Sequence, residues 1–131
     1  MQIALYKGSG TLFDKIIRIV TRSKYSHCEL VMDGICYSSS IRDGGVRMKA
    51  ILLEEDKWDV LDIDGNRAKA VTWYLSNVNK KYDWLGAITS VLPITLNFKN
   101  KFFCSEALAY MLGLPTPQKQ TPESIFKIYS K

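Results

Sequence analysis

The sequence predicts an α+β fold built on an antiparallel sheet. Three observations lead there. Asp33-Gly34 sits between two β-prone runs, as in a tight hairpin. Residues 57–63 (KWDVLDI) alternate in the manner of a half-buried strand. Strand-like runs crowd the first half of the chain and helical periodicity the second, and such segregated blocks favour antiparallel pairing.

Taken in order, residues 2–6 (QIALY) are short and β-prone and predict a first strand. A Lys7-Gly8-Ser9-Gly10 loop follows, and Thr11 stands where a helix cap is needed. Leu12, Phe13, Ile16, Ile17, Ile19 and Val20 recur near helical spacing, which predicts an amphipathic helix to about residue 21. Residues 26–32 and 35–40 are the hairpin strands. With Asp33-Gly34 as a two-residue turn, Met32 faces Ile35, His27 falls opposite Ser40, and Glu29 falls opposite Ser38. The two-residue period then gathers His27, Glu29, Ser38 and Ser40 on one face. A slip of one residue would substitute Tyr37 and Ser39 for the two serines. Cys28 and Cys36 are assigned to the opposite parity, as core positions rather than catalytic ones.

Gly44-Gly45 opens another turn before a strand at 46–50, and Asp64-Gly65-Asn66 ends the strand at 57–63. Residues 67–79 have helical spacing through Ala68, Val71, Trp73, Tyr74, Leu75 and Val78. Residues 82–92 continue as helix or turn, closed by Pro93. Residues 101–112 (KFFCSEALAYML) predict an amphipathic helix stopped by Gly113 and Pro115, with Cys104 at or just before its first turn. Thr121-Pro122-Glu123 starts the last helix, with a cap, a proline in the first helical position and an acid in the first turn.

The length of 131 residues fits a single domain spanning 1–131, and 47% hydrophobic against 24% charged residues supports a core without disulfide staples. No run is long and apolar enough to span a bilayer, so no transmembrane segment is expected. Lys7 interrupts the N-terminal stretch too early for a secretory signal, which predicts a cytoplasmic protein, with later release or association with a phage as the other course. Cys28, Cys36 and Cys104 are an odd set for a disulfide framework, and with one histidine they match no common zinc module. No metal or other cofactor is expected. The net charge of +5 is spread along the chain, which favours anionic surroundings in general, and no nucleic-acid motif accompanies it.

Cys104 is the candidate nucleophile. A thiol at a helix N-terminus faces unpaired N–H groups and the positive end of the dipole, which favour the thiolate and could hold an oxyanion. The competing reading is a small apolar residue of the core. His27, the only histidine, shifts the balance, because a cysteine hydrolase needs an imidazole to carry the proton and a third polar group to hold that imidazole. Glu29 has the right parity for the third role, and Ser38 and Ser40 are cross-strand alternatives. Glu29 could equally bind a substrate amine or pair with a surface cation.

Residues 25–31 (YSHCELV), 44–46 (GGV), 81–86 (KYDWLG) and 103–106 (FCSE), with Thr121-Pro122 trailing, form an ordered set over most of the chain. The set resembles the circularly permuted branch of the NlpC/P60 superfamily, the YiiX/YaeF-like papain-fold amidases, in which the histidine precedes the cysteine. The resemblance implies a permuted papain-like fold, with a nucleophile helix packed on an antiparallel sheet whose strand carries the base. It casts Cys104 as nucleophile, His27 as base, Glu29 as the strand glutamate, and Tyr82 as the tyrosine that approaches the oxyanion or substrate. Many relatives hold the imidazole from the neighbouring strand, commonly with a histidine. Here that strand offers Ser38, Ser39 and Ser40, which leaves the third member open.

The function expected from this resemblance is a cysteine hydrolase of amide bonds, acting on a peptide such as a cell-wall stem peptide through an acyl-enzyme. The alternatives are a lipid-directed thioesterase, phospholipase or acyltransferase using the same dyad on an acyl substrate, and a non-enzymatic interaction module that keeps the fold.

Overall fold

A computed structural model of the protein describes residues 1–91 and 100–131. Seven strands form one sheet: β1 (Gln2–Tyr6), β2 (His27–Met32), β3 (Ile35–Ser40), β4 (Gly45–Lys49), β5 (Trp58–Asp62), β6 (Lys81–Tyr82) and β7 (Lys101–Phe102). Their order across the sheet is β5-β1-β2-β3-β4-β6-β7, and every neighbouring pair is antiparallel except β6 with β7. The helices are α1 (Leu12–Thr21), α2 (Arg67–Asn77), α3 (Trp84–Thr89), α4 (Cys104–Leu112) and α5 (Pro122–Tyr129). The class is therefore α+β with a mostly antiparallel sheet. No helix among the described residues is long and apolar enough to cross a membrane.

The central hairpin has the expected register, with Met32 opposite Ile35 and Leu30 opposite Tyr37. Its turn needs two residues at positive φ, and Asp33 (52°) and Gly34 (77°) supply them. Thr11 caps α1 through the Asp14 N–H at 3.4 Å, while the Asp14 carboxylate accepts the Thr11 N–H at 2.6 Å. Gly45 lies where β4 meets the chain before β6. A Cβ there would stand 1.9 Å from the Lys80 carbonyl oxygen, the same oxygen that accepts the Val46 N–H at 2.8 Å.

The main core lies on one face of the sheet. Ile3, Leu5, Cys28, Leu30 and Met32 meet Leu108 and Met111 of α4 and Ile125 of α5 there, all essentially without solvent exposure. On the other face Ala4, Val31 and Cys36 are covered by Ile51, Leu53 and Trp58. The two strand cysteines, expected to share a parity, are thus separated by the sheet. Val31 pairs with Cys36, so Cys36 takes the face of Val31, Glu29 and His27, while Cys28 points toward α4.

Short strands precede the stretch expected as helix or turn from Tyr82 and the helix expected to start at about Cys104. Lys81–Tyr82 and Lys101–Phe102 pair in parallel before α3 and α4 start. The Asp83 carboxylate caps α3 by accepting the Gly86 N–H at 2.9 Å. Phe103, at φ −95° and ψ 169°, is extended, and α4 starts at Cys104, within the expected first turn. Leu92 and Pro93, the expected end of the earlier helix, lie outside the described residues. A third apolar cluster, Ile17 with Ala87 and Phe103, ties α1 and α3 to the start of α4, with Phe13 and Tyr82 packed beside it.

Candidate active site

Strand register explains how the polar residues meet. Tyr6 pairs with both Trp58 and His27, and Ala4 pairs with both Val60 and Glu29. On the far side Ser38 pairs with Arg47. Glu29 therefore lies beside Ala4 of β1, with β3 between it and Arg47 of β4. The Arg47 side chain crosses β3 to reach the carboxylate. Arg47 donates from Nη1 to Glu29 Oε1 at 2.6 Å and from Nη2 to Oε2 at 2.7 Å, a bidentate pair. Its Nε donates to Asp43 at 2.8 Å, which holds the guanidinium from the solvent side. Glu29 has no exposed surface.

His27 opens β2, at the end of the sheet where the N-terminus of α4 arrives. Its Nε2 hydrogen-bonds Glu29 Oε2, and the imidazole is near enough to Cys104 for the two to shift each other's ionisation. With Nε2 on the carboxylate, Nδ1 is the nitrogen left for the sulfur. The Trp58 ring stands edge-on to the imidazole at 6.4 Å between centroids and closes its outer side. Cys104 is the first residue of α4, whose N-terminus carries no side-chain cap, so backbone N–H groups beside the sulfur remain free of the helix ladder.

The charges follow from this arrangement. Burial opposes ionisation of Glu29, but His27 and Arg47 outweigh it and hold the carboxyl below its ordinary range. Burial also opposes charge on His27, yet Glu29 and then Cys104 push its pKa up to about 10. The Cys104 thiol is held well below its ordinary value, first by a hydrogen bond from the Cys28 thiol and, against burial, by the charge and hydrogen bond of His27. Cys28 moves the other way, raised by burial and by the neighbouring Cys104 charge. These shifts favour a thiolate–imidazolium pair backed by a carboxylate and a guanidinium.

The expected residues Cys104, His27 and Glu29 come together. Tyr82 lies against the same centre, where burial and the Cys104 charge raise its pKa and keep its hydroxyl protonated. Ser38 and Ser40 do not hold the imidazole. Ser38 donates its hydroxyl to the Cys28 carbonyl at 2.7 Å, and Ser40 lines the groove described next. Glu106, in the first turn of α4, is buried. Burial, with Asp83 nearby, raises its carboxyl to about 8 against the lowering effect of the Phe103 N–H.

Two participants escaped the sequence reading. Arg47 could have been found by carrying strand parity across the Gly44-Gly45 turn. Cys28 could not, because its contact depends on how α4 docks.

A groove of about 730 Å³ runs over His27, Glu29 and Tyr82. Phe13, Ile41, Ile51, Leu52 and Trp58 give it apolar walls, and Arg42, Lys49 and Lys57 stand among its rim charges. Ser26, also on its wall, has the one buried side-chain polar atom without a hydrogen-bond partner among the described residues. Among the described residues no group of three or more His, Cys, Asp or Glu side chains is placed to hold a metal ion. Compared with known proteins, the sequence matches no family model and no curated protein.

Proposed function

We propose that the protein is a cysteine hydrolase of amide bonds, with a permuted papain-like arrangement of its catalytic groups. The observation that carries this reading is the line Cys104–His27–Glu29–Arg47, in which Glu29 hydrogen-bonds both His27 and Arg47 while His27 and Cys104 shift each other's ionisation. A core cysteine or a satisfied core histidine would need no such line. The order of histidine before cysteine and the docking of α4 on β2 and β3 fit the resemblance to the permuted NlpC/P60 branch.

In this reading the Cys104 thiolate attacks the amide carbonyl carbon, and the π electrons move to oxygen. Backbone N–H groups at the start of α4 and the Tyr82 hydroxyl donate to that oxyanion. The imidazolium of His27 gives its proton to the departing amine nitrogen, leaving a thioester. The neutral ring then takes a proton from water, the hydroxide adds to the thioester carbonyl, and collapse returns the thiolate and releases the acid. Glu29 holds the ring and stabilises its charge, and Arg47 keeps Glu29 ionised and in place. The unpartnered Ser26 hydroxyl serves as a donor to a substrate carbonyl.

A peptide, with stem peptides of the cell wall as the first candidates, fits an open groove with both charged and apolar walls. The same apolar walls and basic rim favour a second reading, cleavage of an acyl ester or thioester. Release of amine from a panel of peptides and muropeptides, alongside acyl-chain esters, separates the two. Loss of turnover in Cys104→Ala and in His27→Ala is expected on the true substrate class. Full turnover by Cys104→Ala would remove the mechanism.

A further inference from the structure

Cys28 is a second thiol at the site for which the hydrolytic cycle has no step. It is fully buried, lies in the same core cluster as Cys104, and sits close enough that each thiol shifts the other's ionisation. The contact joins the second residue of β2 to the first residue of α4, two elements already packed together. The third cysteine is a built-in contrast, because Cys36 belongs to the cluster on the opposite face of the sheet. None of the three takes part in a disulfide.

We propose that Cys28 is a resolving thiol, which closes a reversible disulfide with Cys104 after a hydroperoxide has oxidised the nucleophile. This rests on the reading of Cys104 as a reactive thiolate. The thiolate attacks the distal peroxide oxygen and the O–O bond breaks. The alcohol or water leaves with the His27 proton, and Cys104 becomes a sulfenic acid. The charge that kept the Cys28 proton in place is then gone, and neutral His27 can take that proton. The Cys28 sulfur attacks the Cys104 sulfur, the S–O bond breaks, and hydroxide departs as water with the proton from His27. Two electrons pass from the sulfurs to the peroxide. The disulfide consumes the nucleophile and so stops turnover, while sparing it from irreversible sulfinic and sulfonic acids.

The test treats the full chain with hydrogen peroxide at neutral pH, quenches with catalase, and analyses it by non-reducing mass spectrometry. The expected result is a loss of two hydrogens from the intact mass, a Cys28–Cys104 cross-linked peptide, and reduced Cys36. Labelling of Cys104 by iodoacetamide should be lost and then restored by dithiothreitol. In Cys28→Ala the sulfenic acid should accumulate, be captured by dimedone, and proceed to oxygen adducts that dithiothreitol does not reverse. A Cys104 that alkylates fast but ends as sulfinate beside reduced Cys28 in the unmodified protein would overturn the disulfide alone. A Cys104 that reacts with iodoacetamide and peroxide no faster than a model thiol would overturn both this proposal and the hydrolase reading. The wild-type peptide map decides the question even if the Cys28→Ala chain folds poorly.

Discussion

Replacing Arg47 with methionine removes the guanidinium from a carboxylate that has no solvent of its own. Glu29 is fully buried and takes two short hydrogen bonds from Arg47, at 2.6 and 2.7 Å, in addition to the contact with His27. Breaking a buried ion pair from one side typically costs about 3–5 kcal/mol, because the remaining charge is stranded in low dielectric. The imidazolium of His27 still faces Glu29, so the lower end applies, roughly 3 kcal/mol. Domains of this size have only about 5–15 kcal/mol of stability. At about 3–4 °C per kcal/mol, the midpoint of thermal unfolding should fall by roughly 10 °C. Circular dichroism melts at neutral pH and urea titrations measure this directly. Pairing Arg47→Met with Glu29→Gln supplies the control, because the doubly neutral chain no longer buries a stranded charge. Its loss should be smaller than the sum of the two single losses, by about 1–3 kcal/mol. An Arg47→Met protein within about 0.5 kcal/mol of wild type would refute the argument that the guanidinium holds the buried carboxylate.

Other outcomes follow from the same charges. Alkylation of Cys104 by iodoacetamide should already be at a plateau at neutral pH, with a second step near pH 10 where His27 loses its proton. In Glu29→Gln that step should move to lower pH, and a single rise like that of a free thiol would sink the ion-pair assignment. Glu106→Gln should be close to neutral in acid and stabilising in base. The folded protein keeps a proton to about pH 8 that an unfolded glutamate releases from about 4.5, so wild-type stability falls across that window. The gain above pH 8 is on the order of 3 kcal/mol, read from denaturant melts across pH, and an advantage independent of pH would contradict it. Asp59, whose carboxyl is lowered to about 2 by Lys7, Tyr25 and Lys24 against burial, supplies stability above pH 4 that is lost as pH falls through 2. Asp59→Asn should therefore cost roughly 2 kcal/mol at neutral pH and flatten the acid limb of the stability curve, and unchanged acid unfolding would exclude that role.

The periodicities of this chain determined much of its architecture without help from distant contacts. Asp33-Gly34 set the hairpin and its register, Thr11 and Thr121 set helix starts, and Gly113 set a helix end, because turns and caps depend on a few adjacent residues. The same local logic marked Cys104, His27 and Glu29, since a helix-start thiol and a same-parity carboxylate are visible along one segment. What lay beyond it were the partners brought by tertiary structure. Arg47 reaches Glu29 across a whole intervening strand, and Cys28 joins the cluster of Cys104 because α4 docks on that face of β2. The strands at Lys81–Tyr82 and Lys101–Phe102 exist only through pairing with each other and with β4. Period and capping are short-range properties of the backbone. The identity of a side chain's neighbour across a sheet, and hence its charge state, is settled by packing between residues far apart in the chain.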